Sequence, residues 1–219
     1  MSRRVVLLRH GRTEWNAQRR FQGQADPPLD DVGRAQAYSV AALVAALRPD
    51  VLITSDLTRA VQTAEIVSEL AGATPALDAR FRERGLGHWE GLTRDEVALA
   101  YPDEYADWLA GRDVSRRGGE TREEVAARAA AAFAELPDVP TTLIVTHSAT
   151  AMALTNSLLG IAQGLHPLGP LANCHWSELA NEGDRTPWRL RGHNLGVPGT
   201  VVPLPVRAEL AEDAADADA

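Results

Sequence analysis

Three short apolar runs are separated by long stretches in which apolar residues recur at helical spacing. Val5–Leu8, Val51–Thr54 and Thr142–Val145 are each four residues long, the length of a buried strand rather than of a buried helix. Leu29–Leu47 reads as a helix with Asp30 as its N-cap and Pro49 as its stop. Ser55 or Asp56 is expected to cap a second helix that reaches Ala71 and ends at Gly72. Thr93-Arg94-Asp95-Glu96 is a capping-box pattern opening a short helix that Pro102 interrupts, and Thr121-Arg122-Glu123-Glu124 repeats it before an alanine-rich helix to Leu136. Ala149–Leu159 is helical and ends at Gly160, while His175–Ala180 and Trp188–Gly192 read as two later strands paired around the turn-rich Asn181–Pro187.

This alternation predicts an α/β fold with helices packed on a largely parallel sheet. In such folds ligands sit outside the carboxyl ends of the strands, where helix N-termini also point. Residues that carry chemistry should therefore fall just after strands, and they do. Arg9-His10-Gly11-Arg12 follows the first run, Ser55 to Arg59 the second, and Thr146-His147-Ser148 the third.

Composition narrows the class. The 219 residues, 45% hydrophobic and 24% charged, suit one globular domain, and no apolar run approaches the roughly 20 residues of a membrane span. Only four apolar residues follow the basic pair at the start, too few for a signal peptide, so a cytoplasmic location is expected. Cys174 is the single cysteine, which rules out an intrachain disulfide and reads as a small buried hydrophobe. Of the net charge of −8, five acids lie in the last twelve residues. Residues 1–207 are read as the domain and 208–219 as an acidic, disordered tail. The remaining balance, 22 bases against 25 acids, excludes a nucleic-acid binder with a basic face.

Two histidines and two arginines at one sheet edge suit a tetrahedral oxyanion, since the planar guanidinium fork pairs with phosphate oxygens. A neutral imidazole is a competent nucleophile, and flanking guanidiniums favour that neutral form. Hydrolysis also needs a proton donor for the leaving oxygen. Arg82-Glu83-Arg84-Gly85-Leu86-Gly87-His88-Trp89-Glu90-Gly91 is the densest candidate segment, and its residues alone do not choose between Glu83 and Glu90.

The segments LLRHGRTEWN, FQGQADPPLDDVGRAQA, TSDLTRAVQTAE, RERGLGHWEGLT, GGET and VTHSAT, in that order over the first 150 residues, resemble the histidine phosphatase superfamily, the phosphoglycerate mutase-like enzymes. The resemblance implies a three-layer α/β/α sandwich with a mostly parallel mixed sheet, and no metal or cofactor. It implies that His10 is phosphorylated, that Arg9, Arg59 and His147 hold the phosphoryl group, and that Glu83 is the acid/base, leaving Glu90 structural. Asn16 and Gln22 fall where the family has polar residues at the pocket wall. LANCHWSEL and TPWRLRGHN, with the Asn after the last strand, are similar to the C-terminal strands of glucosyl-3-phosphoglycerate phosphatases. Two departures stand out: Ser148 and Ala149 replace the usual glycines after the second histidine, with Ser148 still able to offer its backbone N–H. Arg84 is more typical of mutases and suits a second anionic group such as a glycerate carboxylate.

The expected activity is thus a metal-independent phosphomonoester hydrolase acting through a phosphohistidine on a small phosphate ester, with glucosyl-3-phosphoglycerate or another phosphoglycerate as the substrate type. The alternatives are a 2,3-bisphosphoglycerate-dependent mutase and a non-catalytic phosphate-binding module. Glu83 and His147 are 64 residues apart, which matches the shorter phosphatase arrangement, and a binder needs no proton donor. His88, His166, His175 and His193 lack metal-ligand spacing and read as structural or surface residues. Arg112, Arg116 and Arg117 read as a solvated loop, and Trp89, Trp108, Trp176 and Trp188 as packing residues. Neither a nucleic acid nor a membrane is an expected partner; the strand-rich C-terminal half would support a homodimer.

Overall fold

The computed structural model describes residues 2–165, 167–183 and 187–197. The acidic tail, the 207 boundary, His166 and the middle of the Asn181–Pro187 turn lie outside these residues.

One six-stranded sheet forms the centre. Its strands are β1 (Arg3–Arg9), β2 (Val51–Thr54), β3 (Pro75–Leu77), β4 (Thr141–Thr146), β5 (Trp176–Asn181) and β6 (Arg189–Leu195), in the order β3-β2-β4-β1-β5-β6. β3, β2, β4 and β1 run parallel, whereas β5 pairs antiparallel with both β1 and β6. The sheet is therefore mixed and mostly parallel, as expected, and the two late apolar segments do pair.

The three layers follow from the two-residue period of a strand. Val6 and Leu8 of β1 pack on one face with α2 (Asp31–Ala45) and α3 (Thr58–Ala71), through Val40, Val44, Ala60 and Val67. Val5 and Leu7 pack on the other face with α6 (Arg122–Ala134) and α7 (Ser148–Leu159), through Ala129, Phe133, Ala151 and Leu154. All four β1 side chains are fully buried, each contributing about 1.5–3 kcal/mol of transfer free energy. That burial fixes the strand whose end carries Arg9 and His10. A separate aromatic cluster, built on Trp89, Val97 and Val114 with Phe21, Tyr105 and Trp108 against them, joins α4 (Arg94–Ala100) and α5 (Pro102–Leu109) to the first loop. No helix among the described residues is long and apolar enough to cross a membrane.

Several boundaries differ from expectation for identifiable reasons. Asp30 does cap α2, accepting from Gly33 N at 2.7 Å, and both threonine capping boxes form. Neither Ser55 nor Asp56 is the N-cap of α3: that residue is Leu57, which makes no side-chain cap bond. Asp56 is held by the Arg82 fork at 2.7 and 2.6 Å, and Ser55 faces His147. The cap is supplied from a distance by Asp26, whose carboxylate accepts from Thr58 N and Thr58 Oγ1 at 2.7 Å each. Pro102 does not end helical structure but restarts it as the first residue of α5, where its missing N–H costs nothing. β3 and the single-turn helix α1 (Glu14–Ala17), capped by Thr13, carry no sequence pattern long enough to announce them.

Candidate active site

The three strand ends meet. His10 N donates to Thr146 O and Ser55 N donates to Val145 O, each at 3.0 Å, so the ladder continues one step beyond β1 and β2. The His10 and His147 rings lie with centroids 5.1 Å apart, and both residues are buried. Arg59, in the first turn of α3, is completely buried. Its Nη1 and Nη2 donate to Ala25 O and Gly23 O at 2.7 and 2.8 Å, which pins the loop after Gln22 and fixes the guanidinium plane. Arg9 is tied at the opposite side by Nη1 donating to Leu171 O at 2.6 Å. Among the described residues, Arg9 Nε, Arg59 Nε and His147 Nδ1 are buried without a hydrogen-bond partner. Buried donors of this kind are uncommon, and three in one cluster suit an anionic ligand.

The His10 ring has a defined tautomer. Its Nδ1 lies 2.6 Å from the Gly11 carbonyl oxygen, which can only accept, so Nδ1 carries the proton and Nε2 the lone pair. Burial, with Arg59 and Arg9 beside it, holds the ring's pKa well below the usual histidine value. Burial does the same for His147, again reinforced by Arg59, and Ser55 Oγ anchors that ring at Nε2 at 2.9 Å. Both imidazoles are therefore neutral at neutral pH. Burial lowers the Arg59 pKa to about 10, which still leaves it cationic.

Glu83 is distinguished from Glu90 by its partners. Its carboxylate accepts from Ala149 N at 3.2 Å and Thr150 N at 3.3 Å, at the start of α7 directly after His147. The segment is pinned there, because Thr146 Oγ1 donates to Phe81 O and Thr150 Oγ1 to Arg82 O, each at 2.7 Å. Glu90 is a loop clamp, accepting from Gln24 N and Leu86 N at 3.0 and 2.9 Å. The arrangement thus offers a lone-pair nitrogen, two guanidiniums, a second imidazole and a carboxyl group at one helix N-terminus. That set can bind a phosphoryl group, accept it and move a proton.

A sequence profile described as "Histidine phosphatase superfamily (branch 1)" matches residues 5–195. The chain belongs to the histidine phosphatase superfamily. The superfamily resemblance drawn from the motifs and the expected sandwich both hold. The glucosyl-3-phosphoglycerate phosphatase of Mycolicibacterium vanbaalenii is 38% identical over 189 residues, covering 81% of this chain and 84% of that protein. A probable phosphoglycerate mutase GpmB of Klebsiella pneumoniae is 35% identical over 205 residues, covering 90% and 93%. Among solved structures, a mycobacterial glucosyl-3-phosphoglycerate phosphatase in complex with VO3 superposes with a TM-score of 0.80 at 35% identity, over 89% of this chain and 100% of that one.

The other expected site residues divide within this superfamily framework. Asn16 and Gln22 lie beside the histidine loop: Thr13 N donates to Asn16 Oδ1 at 3.1 Å and Thr13 Oγ1 to Gln22 Oε1 at 3.0 Å. Ser148 is the first residue of α7, next to His147. Arg84 is engaged elsewhere, with its guanidinium on Asp113 and its Nε donating to Glu120 O at 2.7 Å. Arg117, expected in a solvated loop, is instead 2% exposed and lies over the Trp89 ring at 5.4 Å. The small Gly87 permits this, since a Cβ there would fall 1.9 Å from Arg117 O. Arg112 and Arg116 are exposed and share Asp107, as a surface pair should.

Two supporting residues carry no sequence signal: Ser55, which anchors His147, and Arg128, which donates to Glu83 O at 3.0 Å while paired with Glu120. Asn173 is equally unannounced, its Nδ2 donating to His10 O at 3.1 Å. Thr63 is a further miss with a readable signal: it is a buried hydroxyl within the apolar stripe Ala60, Ala64, Val67 of α3.

Proposed function

We propose that this chain hydrolyses a small phosphomonoester of the phosphoglycerate type through a phosphohistidine on His10. The single observation that carries this is the His10 ring, held with Nδ1 protonated on Gly11 O and its Nε2 lone pair free beside Arg9, Arg59 and His147. In the first step His10 Nε2 bonds to phosphorus, the ester P–O bond breaks, and Glu83 gives its proton to the leaving alkoxide. In the second step Glu83 takes a proton from water, the water oxygen bonds to phosphorus, and the P–N bond breaks to regenerate the imidazole. The guanidiniums offset the charge on the equatorial oxygens in both loose transition states, and the neutral His147 ring hydrogen-bonds to them through Nδ1. Asn16, Gln22 and the Ser148 N–H complete the phosphate side of the pocket.

The phosphoglycerate class is supported by the glucosyl-3-phosphoglycerate phosphatases, which are similar over more than four-fifths of this chain. The mutase relatives favour a second reading, in which the phosphoryl group returns to a second hydroxyl. Arg84 is paired with Asp113 in either reading, and the 64-position separation of Glu83 and His147, the shorter phosphatase arrangement, favours hydrolysis. Supplying glucosyl-3-phosphoglycerate and 3-phosphoglycerate separately tests both readings. Free phosphate from either, lost in His10→Ala, supports hydrolysis; conversion of 3-phosphoglycerate to 2-phosphoglycerate without phosphate release supports the mutase.

A further inference from the structure

His10 can attack through Nε2 only while Nδ1 keeps its proton, and that proton has one acceptor, the Gly11 carbonyl. The orientation of this carbonyl is itself held from outside. The C=O of Gly11 and the N–H of Arg12 are opposite ends of one planar trans peptide, so fixing the direction of one fixes the other. Arg12 N donates to Gln36 Oε1 at 2.9 Å. Gln36 reaches it because the first turn of α2 lies directly on the histidine loop. A Cβ on Gly33 would fall 2.0 Å from Arg12 O, and one on Gly11 would fall 2.5 Å from Gly33 O. The preceding peptide is held separately, Gly11 N donating to Thr63 Oγ1 and Asn173 Nδ2 to His10 O. Of these three side chains only Gln36 grips the plane that carries the His10 acceptor.

We propose that Gln36 is a positioning residue: by holding the Gly11–Arg12 peptide it keeps His10 in the Nδ1–H tautomer that exposes the nucleophilic lone pair. Its kinetic consequence rests on His10 being the nucleophile, whereas its effect on the ring does not. Without the Gln36 acceptor the peptide can rotate, the Gly11 carbonyl leaves Nδ1, and the neutral ring populates the Nε2–H form, which cannot attack. A cavity of about 470 Å³ bordered by Gln36, Asn173 and Cys174 lets water replace the lost acceptor, so the effect is partial.

The test uses full-length protein with ¹⁵N-labelled histidine. Long-range ¹H–¹⁵N spectra at pH 7.5 should show His10 of the unaltered protein as the Nδ1–H tautomer alone, and Gln36→Met should show a mixture. In the same variant kcat for p-nitrophenyl phosphate should fall about 10- to 100-fold, with KM within about twofold, because ground-state binding does not pass through this peptide. Gln36→Glu keeps an acceptor and should restore the single tautomer and most of kcat. Should Gln36→Met not fold, Gln36→Asn keeps an amide too short to reach Arg12 and takes its place. A folded variant lacking the acceptor whose His10 stays wholly Nδ1–H overturns the proposal whatever its kcat. So does Gln36→Glu if it is as disordered in tautomer as Gln36→Met. A shifted tautomer with unchanged kcat supports the positioning role and counts instead against His10 as the nucleophile.

Discussion

Two buried neutral histidines make stability fall with acid in a window where most proteins change little. His10 and His147 both titrate well below the ordinary histidine value in the folded protein, first because of burial and then because of Arg59. In the unfolded chain each titrates near about 6.5. As pH falls through that value the unfolded state takes up protons that the folded state refuses, so the equilibrium moves toward unfolding. Each histidine still neutral at pH 5.5 then costs about 1.4 kcal/mol relative to pH 7.5, and the pair costs about 2.7 kcal/mol. The depressed carboxyls of Asp56, Asp78, Asp113 and Glu120 add losses only below their own unfolded range near pH 4. Urea titrations at pH 7.5, 6.5 and 5.5, in buffer free of phosphate and sulfate, measure the effect. In the double variant His10→Asn/His147→Gln the decrement should be smaller by about 2.7 kcal/mol. Equal acid decrements in the two proteins would refute the reasoning, since the loss would then have another source.

Other consequences are local. Ser55→Ala removes the anchor of His147 Nε2 and leaves a buried ring nitrogen unpaired, which should cost about 1–3 kcal/mol in urea melts and lower kcat more than it raises KM. Asp26→Ala deletes the remote cap of α3 and loosens the loop that Arg59 holds; a loss of about 1–2 kcal/mol is expected, with KM for phosphate esters rising. Arg84→Ala should destabilise through Asp113, left with Arg122 as its other partner, while kcat for p-nitrophenyl phosphate stays within about threefold if Arg84 does not touch the phosphoryl group. EDTA should leave turnover unchanged, because every proposed step is assigned to a side chain.

Much of this architecture is legible in the sequence because short-range chemistry determines it. The four apolar residues of β1 followed by Arg9-His10 mark both the strand and the sheet edge it reaches. Asp30, Thr93 and Thr121 cap helices they adjoin, so four-residue patterns suffice to find them. The failures share a cause, which is a partner far away in the chain. Asp26 caps a helix 32 residues on, and nothing near Ser55 or Asp56 announces that those two have other partners. Glu83 lies between two arginines and Glu90 between Trp89 and Gly91, neighbours that assign neither a role, and only α7, more than 60 residues after Glu83, separates a carboxylate beside His147 from a loop clamp. Arg117 is buried because Trp89 and the bare backbone at Gly87 make room for it, a coincidence of two segments. Gln36 is half-buried on a helix of otherwise unremarkable pattern, and its partner is a backbone N–H that no side-chain periodicity registers.

The central claim is that His10 carries the phosphoryl group. Rapid quench of the enzyme with ³²P-labelled substrate, followed by peptide mapping, tests it directly. An acid-labile, base-stable label is expected on the peptide containing His10, formed in a burst. With labelled p-nitrophenyl phosphate, whose leaving group needs no proton from Glu83, it should accumulate in Glu83→Gln, where hydrolysis of the intermediate lacks its base. A label on any other residue, or full turnover in His10→Ala, would contradict it.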